Sequence, residues 1–332
     1  MNRLFLMLII ASLLLLTWAP VVLSIEQKNK GTNMNDIPIS ADSLLKKADA
    51  TFNSHNYKLA LEQYRTAMEE SQKEFNVSVE TEALAQMARM NLILGDTEIG
   101  RKWLSKAGDI ANESDPMGWS RYLGVRGRFE WQDNDLKSAR VTFEKMFDFC
   151  NVNALLGRAV DAVHMIAIIS EAPEDQIEWG HRGIEIAEAS DNESWLGPLF
   201  NNLACTYWEI KQYDSALTYY LKAREYHWRF SGEVAKLFAD YHIGMTYRFL
   251  GKNDKSRKWL RPVLAWAERL ENHGAIGQTC EDLGEADIAD GKKDSGLKML
   301  YRAREEYQLE GYDKTWPEVW DGINERIAEL EK

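Results

Sequence analysis

The chain has 332 residues, of which 45% are hydrophobic and 11% aromatic, enough to bury a sizeable core and to exclude a largely disordered protein. Its 52 acidic side chains exceed its 40 basic ones, and a formal charge of -12 with no run of basic residues argues against a nucleic-acid partner. Cys150, Cys205 and Cys280 are odd in number, widely spaced and without a CxxC pair, so neither a disulfide framework nor a zinc site is expected.

At the amino end, Arg3 precedes an apolar stretch from Leu4 to Trp18, Pro20 breaks any helix, and Val22-Leu23-Ser24 offers small or permissive residues before a cleavage point. That is the pattern of a secretory signal over residues 1–24, and it makes the protein exported, periplasmic or secreted, with a mature start near Ile25. The alternative is an uncleaved anchor. Residues 4–25 are long enough to span a bilayer, which would attach the chain to a membrane by one N-terminal helix. Residues 25–40 are polar, contain Gly31 and Pro38 and lack apolar periodicity, so they read as a flexible linker. The ordered body begins near Ala41.

From there one pattern recurs. A small residue in a first helix is followed by a Gly, Asn or Asp turn, then a small residue, an aromatic or aliphatic four later, and a small or apolar one three after that. Ala48 leads to Asn56-Tyr57, Ala60, Tyr64 and Ala67, and Ala88 to Gly95-Asp96, Gly100, Leu104 and Ala107. Gly127 leads to Asn134-Asp135, Ala139, Phe143 and Met146. Ala204 leads to Tyr213, Ala216, Tyr220 and Ala223, Gly244 to Gly251, Ser256, Leu260 and Val263, and Gly284 to Gly291, Gly296, Leu300 and Ala303. The first small residues lie about 40 positions apart, except for one double step between Gly127 and Ala204. A hidden copy should fill it, with helices over Leu155–Ser170 and Gln176–Ala189 and with Pro173 stopping the first. Small side chains at these positions let two antiparallel helices cross closely, while aromatics fill the space beside them. Past the last copy, residues 312–332 read as a capping helix. Thr315-Trp316-Pro317-Glu318 forms a capping box, Val319, Trp320, Ile323, Ile327 and Leu330 form an apolar stripe, and Glu325, Arg326, Glu329 and Glu331 face water.

The order of small, aromatic, small, aromatic and small positions resembles the tetratricopeptide repeat, in a long variety of about 40 residues, and the likeness spans about 41–307. The resemblance implies an all-α fold in which about seven antiparallel helix pairs over 41–311 stack as a right-handed superhelical solenoid. It also implies a non-enzymatic scaffold or adaptor whose concave groove holds a segment of a protein or peptide partner.

Nothing in the sequence points to catalysis. The six histidines are scattered and form no HExxH motif, and no phosphate loop, nucleophile elbow or kinase signature occurs, so no catalytic residue, cofactor or metal is expected. Glu281, Asp282, Glu285, Asp287 and Asp290 cluster on one helix, where a cation or basic peptide could be held, although such a run is more often a solvated face. Twelve tryptophans among many carboxylates raise an alternative, an exported α/α-toroid carbohydrate-active enzyme. Another alternative is a sensor or adaptor part of a signalling system, because related long repeats sit beside output domains.

By the repeat register, the groove is lined from the first helices by Arg89, Arg128 and Trp131, then Asn201, Asn202 and Trp208, then Tyr241, His242, Arg248 and Phe249, then Glu281 and Glu285. Arg121, Met245 and Asp282 belong to the same face. Arg and aromatic side chains there are the types that dominate binding hot spots. This face should expose its large side chains and grade from basic to acidic along the chain.

Overall fold

The computed structural model describes residues 39–332. The expected export segment, residues 1–24, and residues 25–38 of the expected linker lie outside them. All regular elements among the described residues are helical, and no helix is long and apolar enough to cross a membrane. Two compact units divide the chain, one ending at Leu199 and the other running from Phe200 to Lys332.

In the first unit, helices alternate as pairs: α1 (Ala41–Asn53) with α2 (Tyr57–Glu74), α3 (Val77–Ile93) with α4 (Thr97–Ile110), α5 (Pro116–Gln132) with α6 (Leu136–Val152), and α7 (Leu156–Ile169) with α8 (Pro173–Ala189). A short 3-10 turn, Glu193–Trp195, follows. The division falls within α9 (Leu196–Glu209), which precedes α10 (Tyr213–Phe230). The second unit continues with α11 (Glu233–Phe249) and α12 (Asn253–Arg269), then α13 (His273–Ala289) and α14 (Lys293–Leu309). It closes with the short α15 (Tyr312–Thr315) and α16 (Pro317–Glu331). Within a unit each helix packs on its neighbour in sequence, and first helices also meet one another, α3 on α5 and α11 on α13.

Turn chemistry explains why the pairs form where they do. At Gly95 (φ 87) the chain enters the left-handed region, and the Asp96 N–H returns to the Asn91 carbonyl at 2.8 Å, closing the end of α3. Gly251 (φ 69) serves α11 in the same way, with Lys252 N–H on the Tyr247 carbonyl at 2.9 Å. Helix crossings then demand the small residues. A Cβ added to Gly127 would lie 2.7 Å from the Phe143 ring, and one added to Gly244 would lie 2.6 Å from Leu260 Cδ2. Tyr64 and Tyr220, at matching positions of α2 and α10, are almost fully buried. Their hydroxyls reach back to the first helix of the pair, Tyr64 donating to Asp49 Oδ1 at 2.6 Å and Tyr220 meeting Cys205 Sγ at 3.3 Å.

Three local expectations are corrected. Pro173 does not stop α7, which ends at Ile169 with Ser170 as its cap; Pro173 is instead the first residue of α8, where its missing N–H costs nothing. Thr315 is no N-cap, because it ends α15 and its hydroxyl donates to the Gly311 carbonyl at 2.9 Å, so α16 starts at Pro317 after Trp316 without a side-chain cap. Arg326 does not simply face water, since it forks onto Glu285 of α13 at 2.7 and 3.0 Å and ties α16 to the last pair. The apolar stripe of α16 does bury Val319, Ile323 and Ile327.

Candidate functional site

In the first unit, the face shared by α3, α5 and α7 carries four arginines and the carboxylates that hold Arg121, Arg128 and Arg158. Arg128 donates to Asp161 Oδ1 at 2.6 Å and to the Gly124 carbonyl at 2.8 Å. Arg121 lies 3.3 Å from Glu82 and 3.6 Å from Asp49, and Arg158 bonds Glu82 and the Ser120 hydroxyl. The Arg89 guanidinium covers the Phe52 ring at 4.8 Å. Burial, reinforced by Arg128, pulls Arg89 down to about 9. Burial opposes ionisation of Asp161 as well, but Arg128 and Arg89 outweigh it and hold that carboxyl below the usual range. A cavity of only about 10 Å³ remains among these groups, room for no more than about one water.

In the second unit, α9, α11 and α13 present a different set. The Asn201 amide approaches Cys205 Sγ at 3.8 Å, and His242 stacks on Tyr220 at 4.9 Å. Trp208 meets Phe249 edge-on at 4.9 Å, and the Arg248 guanidinium lies over Phe249 at 4.1 Å while bonding Asp282. Tyr307 donates to Glu281 Oε2 at 2.7 Å. Burial, against that hydrogen bond and with Asp282 nearby, lifts Glu281 to about 7. Burial also drives His242 down to about 3, so its ring is neutral.

The expectation of an exposed face is therefore only partly met. Arg89, Arg128, Asn201 and His242 are buried, and so are Trp208 at 8% and Tyr241 at 7% exposure. Trp131, Asn202, Arg248, Phe249, Glu281 and Glu285 are half-buried. The physical reason is that first helices pack on one another, so their shared face is also a contact between repeats. The structure brings Arg248 and Phe249 together, with Arg248 reaching across to α13, which carries Glu281 and Glu285; Trp131 packs instead with the apolar core around Leu123 and Phe143. The expected gradient from basic to acidic is internally compensated, because Asp49, Glu82 and Asp161 meet the arginines of the first unit and Arg248 and Arg326 meet the acids of the second.

Sequence reasoning missed these compensating partners, since a carboxylate about one repeat away gives no local signal. It also missed the cations that cover tryptophans: Lys106 lies over Trp103 at 4.6 Å, Lys145 over Trp119 at 4.8 Å and Arg182 over Trp179 at 4.9 Å. Among the described residues no group of histidine, cysteine and acidic side chains could hold a metal ion. Burial pushes the thiols of Cys150 and Cys205 up to about 12 and that of Cys280 to about 11, which removes them as nucleophiles.

Comparison with known proteins agrees with the helical pairing. A tetratricopeptide repeat family model matches residues 198–225. No curated protein matches the sequence. Among solved structures, the chain is similar to a signal transduction ATPase with numerous domains, a protein with a tetratricopeptide repeat sensor from Pyrococcus horikoshii, at TM-score 0.66 and 15% identity. That likeness covers 86% of this chain and 44% of the other, so this chain spans less than half of that protein's length. It is also similar to the apo form of RapI, at TM-score 0.56 and 13% identity, over 81% of this chain and 97% of the other. At these identities the likeness concerns fold, and the fold is an all-α, tetratricopeptide-like tandem of helix pairs.

Proposed function

We propose that this protein is a non-enzymatic scaffold or adaptor that binds a segment of a protein partner on the face of its first helices, and that it works outside the cytoplasm. The observation that carries the binding reading is the half-exposed set on α11 and α13, where Arg248 lies on Phe249 at 4.1 Å on the same face as Glu281 and Glu285. A guanidinium already stacked and held by Asp282 is pre-organised, so less side-chain entropy is lost when a partner's carboxylate or backbone carbonyl meets it. The reading outside the cytoplasm rests on Arg3 and the apolar run from Leu4 to Trp18. With residues 4–25 retained, the same run anchors the chain to a membrane.

The test is affinity capture of cell-envelope proteins on the immobilised protein, comparing wild type with Trp208→Ala, Arg248→Ala and, as controls on second helices, Lys222→Ala and Lys298→Ala. A partner held by the first-helix face is lost from the Arg248→Ala resin and retained on both control resins, with unchanged helical circular dichroism. Equal capture on every resin removes the first-helix face from consideration. Sequencing the mature amino terminus tests export, since a start at Met1 in a cytosolic fraction contradicts it.

A second reading, a sensor or adaptor part of a signalling system, is favoured by the likeness to the protein with a tetratricopeptide repeat sensor. It predicts that the captured partner itself carries an output domain, such as an ATPase, kinase or DNA-binding module.

A further inference from the structure

We propose that the second unit carries another binding site, separate from the first-helix face, for an acidic peptide segment with one large apolar or aromatic side chain. The site is an open groove of about 430 Å³ lined by Asp240 and Tyr247 of α11 and by Lys255, Lys258, Trp259 and Pro262 of α12. That volume lies within the roughly 300–1,000 Å³ of small-ligand sites. On α12 the four lining residues follow the helical spacing of one stripe, so they present a continuous surface.

Its walls are apolar and its rim is cationic. Trp259 and Tyr247 are half-buried, while Lys255, Lys258 and Pro262 are exposed. On the same helix Arg257 meets Asp254 and Asp287 at 2.9 and 3.1 Å, and Arg269 meets Glu233 at 2.9 Å. Lys255 and Lys258 have no ion-pair partner among the described residues. Lys255 instead lies over the Tyr247 ring at 5.6 Å. The one carboxylate in the wall, Asp240, is taken by Arg224 at 2.6 Å and by the Trp228 indole N–H at 3.1 Å. Arg224 also covers Trp259 at 5.2 Å, which adds positive charge behind the aromatic wall. Among the lining side chains Lys255 and Lys258 outnumber Asp240, so the lining itself is positive.

Pro262 lies inside α12 and adds its apolar ring to the lining. An aromatic side chain can pack on Trp259 while flanking carboxylates meet the lysines. Nucleic acid fits this groove poorly, since two free lysines cannot offset the acidic remainder of the surface.

The test uses the full chain and a fluorescein-labelled acetyl-Gly-Glu-Asp-Phe-Glu-Gly amide, read by fluorescence anisotropy. Companion peptides replace the acidic residues by Lys or the Phe by Ala. The acidic aromatic peptide should bind and weaken with added salt, and both companions should bind at least about tenfold more weakly. The exposed double variant Lys255→Glu/Lys258→Glu should lose binding by a similar factor, while the first-helix variants Trp208→Ala and Arg248→Ala should bind like wild type. The proposal is overturned by no binding up to about 1 mM peptide, by equal binding of the Ala-for-Phe peptide, or by an unaffected lysine double variant. Loss of binding in the first-helix variants with the lysine variant intact assigns the peptide to the other face and also overturns it.

Discussion

Gly244 and Gly322 make a pair of experiments in which one chemical change acts in opposite directions. Both lie inside helices of the second unit, so replacing either by Ala gains about 1 kcal/mol of helix propensity. At Gly322 an added Cβ meets nothing within 4 Å. At Gly244 it would sit 2.6 and 2.7 Å from Leu260 Cδ2 and Cγ and 3.1 Å from Trp259 Cβ. Leu260 is fully buried, and Trp259 Cβ is fixed close to its own backbone, so neither can swing aside without moving α12 against α11. Overpacking of this kind costs about 1–3 kcal/mol. Gly322→Ala should therefore stabilise by up to about 1 kcal/mol, while Gly244→Ala should be neutral to about 2 kcal/mol destabilising. Gly244→Leu should be worse than Gly244→Ala. Urea unfolding followed by circular dichroism measures all three, and the difference between the two alanine variants isolates the crossing contact. Equal shifts for the two, or a stabilised Gly244→Leu, would refute the argument that α11 and α12 require a bare Cα at this crossing.

Breaking the buried pair by Asp161→Asn should cost about 3–5 kcal/mol in urea unfolding, because Arg128 then stays buried without its counter-charge, whereas Glu130→Gln, which loosens the more exposed Arg126 pair, should cost less than about 1 kcal/mol. Burial holds His164 and His227 down at about 4 and His242 at about 3, below the ordinary 6.5, so their contribution is full above 6.5 and is lost as pH falls toward those values. Glu281, raised from 4.5 to about 7, acts the other way, with a contribution full below 4.5 and lost as pH rises through 7. Three groups against one leave a net fall of roughly 3 kcal/mol per pH unit at most between about pH 6 and pH 5, and an unchanged or higher urea midpoint at the lower pH would contradict these burials. Because Cys150, Cys205 and Cys280 are all buried, a thiol reagent at neutral pH should label none of them in the folded protein and all three in denaturant, counted by mass spectrometry.

The helix pairs were legible because their determinants are local. Gly95, Gly251 and Gly291 announce left-handed turns, and Gly127 or Gly244 followed by Phe143 or Leu260 announces a crossing whose two halves lie within about twenty residues. The same logic failed at Pro173, where sequence alone does not say whether a proline ends one helix or begins the next, and at Thr315, whose capping pattern is overridden by the short turn of α15. What could not be read was the pairing of charges between repeats. Arg128 with Asp161, Arg248 with Asp282 and Arg326 with Glu285 are each separated by about one repeat, and only the packing of successive first helices brings them within reach. The same ignorance made Trp208 and Tyr241 look exposed.

This charge pairing changes what a groove in such a fold can be. An isolated helix pair leaves the ligand-facing side of its first helix in water, where Arg248 would be a mobile cation worth little to stability. Stacking α11 on α13 removes part of that water, and the guanidinium must then find Asp282 or carry a desolvation penalty. The residues proposed to meet a partner are thereby also residues that hold repeats together. A partner's carboxylate approaching Arg248 competes with Asp282 for the same fork, and one approaching Glu281 meets a carboxyl that burial has moved to about 7. Binding on this face must then be coupled to the stiffness of the α11–α13 contact, since any group that draws Arg248 outward weakens the bond holding the two first helices together. At the groove between α11 and α12, Lys255 lies over the Tyr247 ring and, among the described residues, neither Lys255 nor Lys258 is held by a carboxylate of another helix, so a peptide carboxylate meeting them in the proposed site breaks no ion pair between first helices.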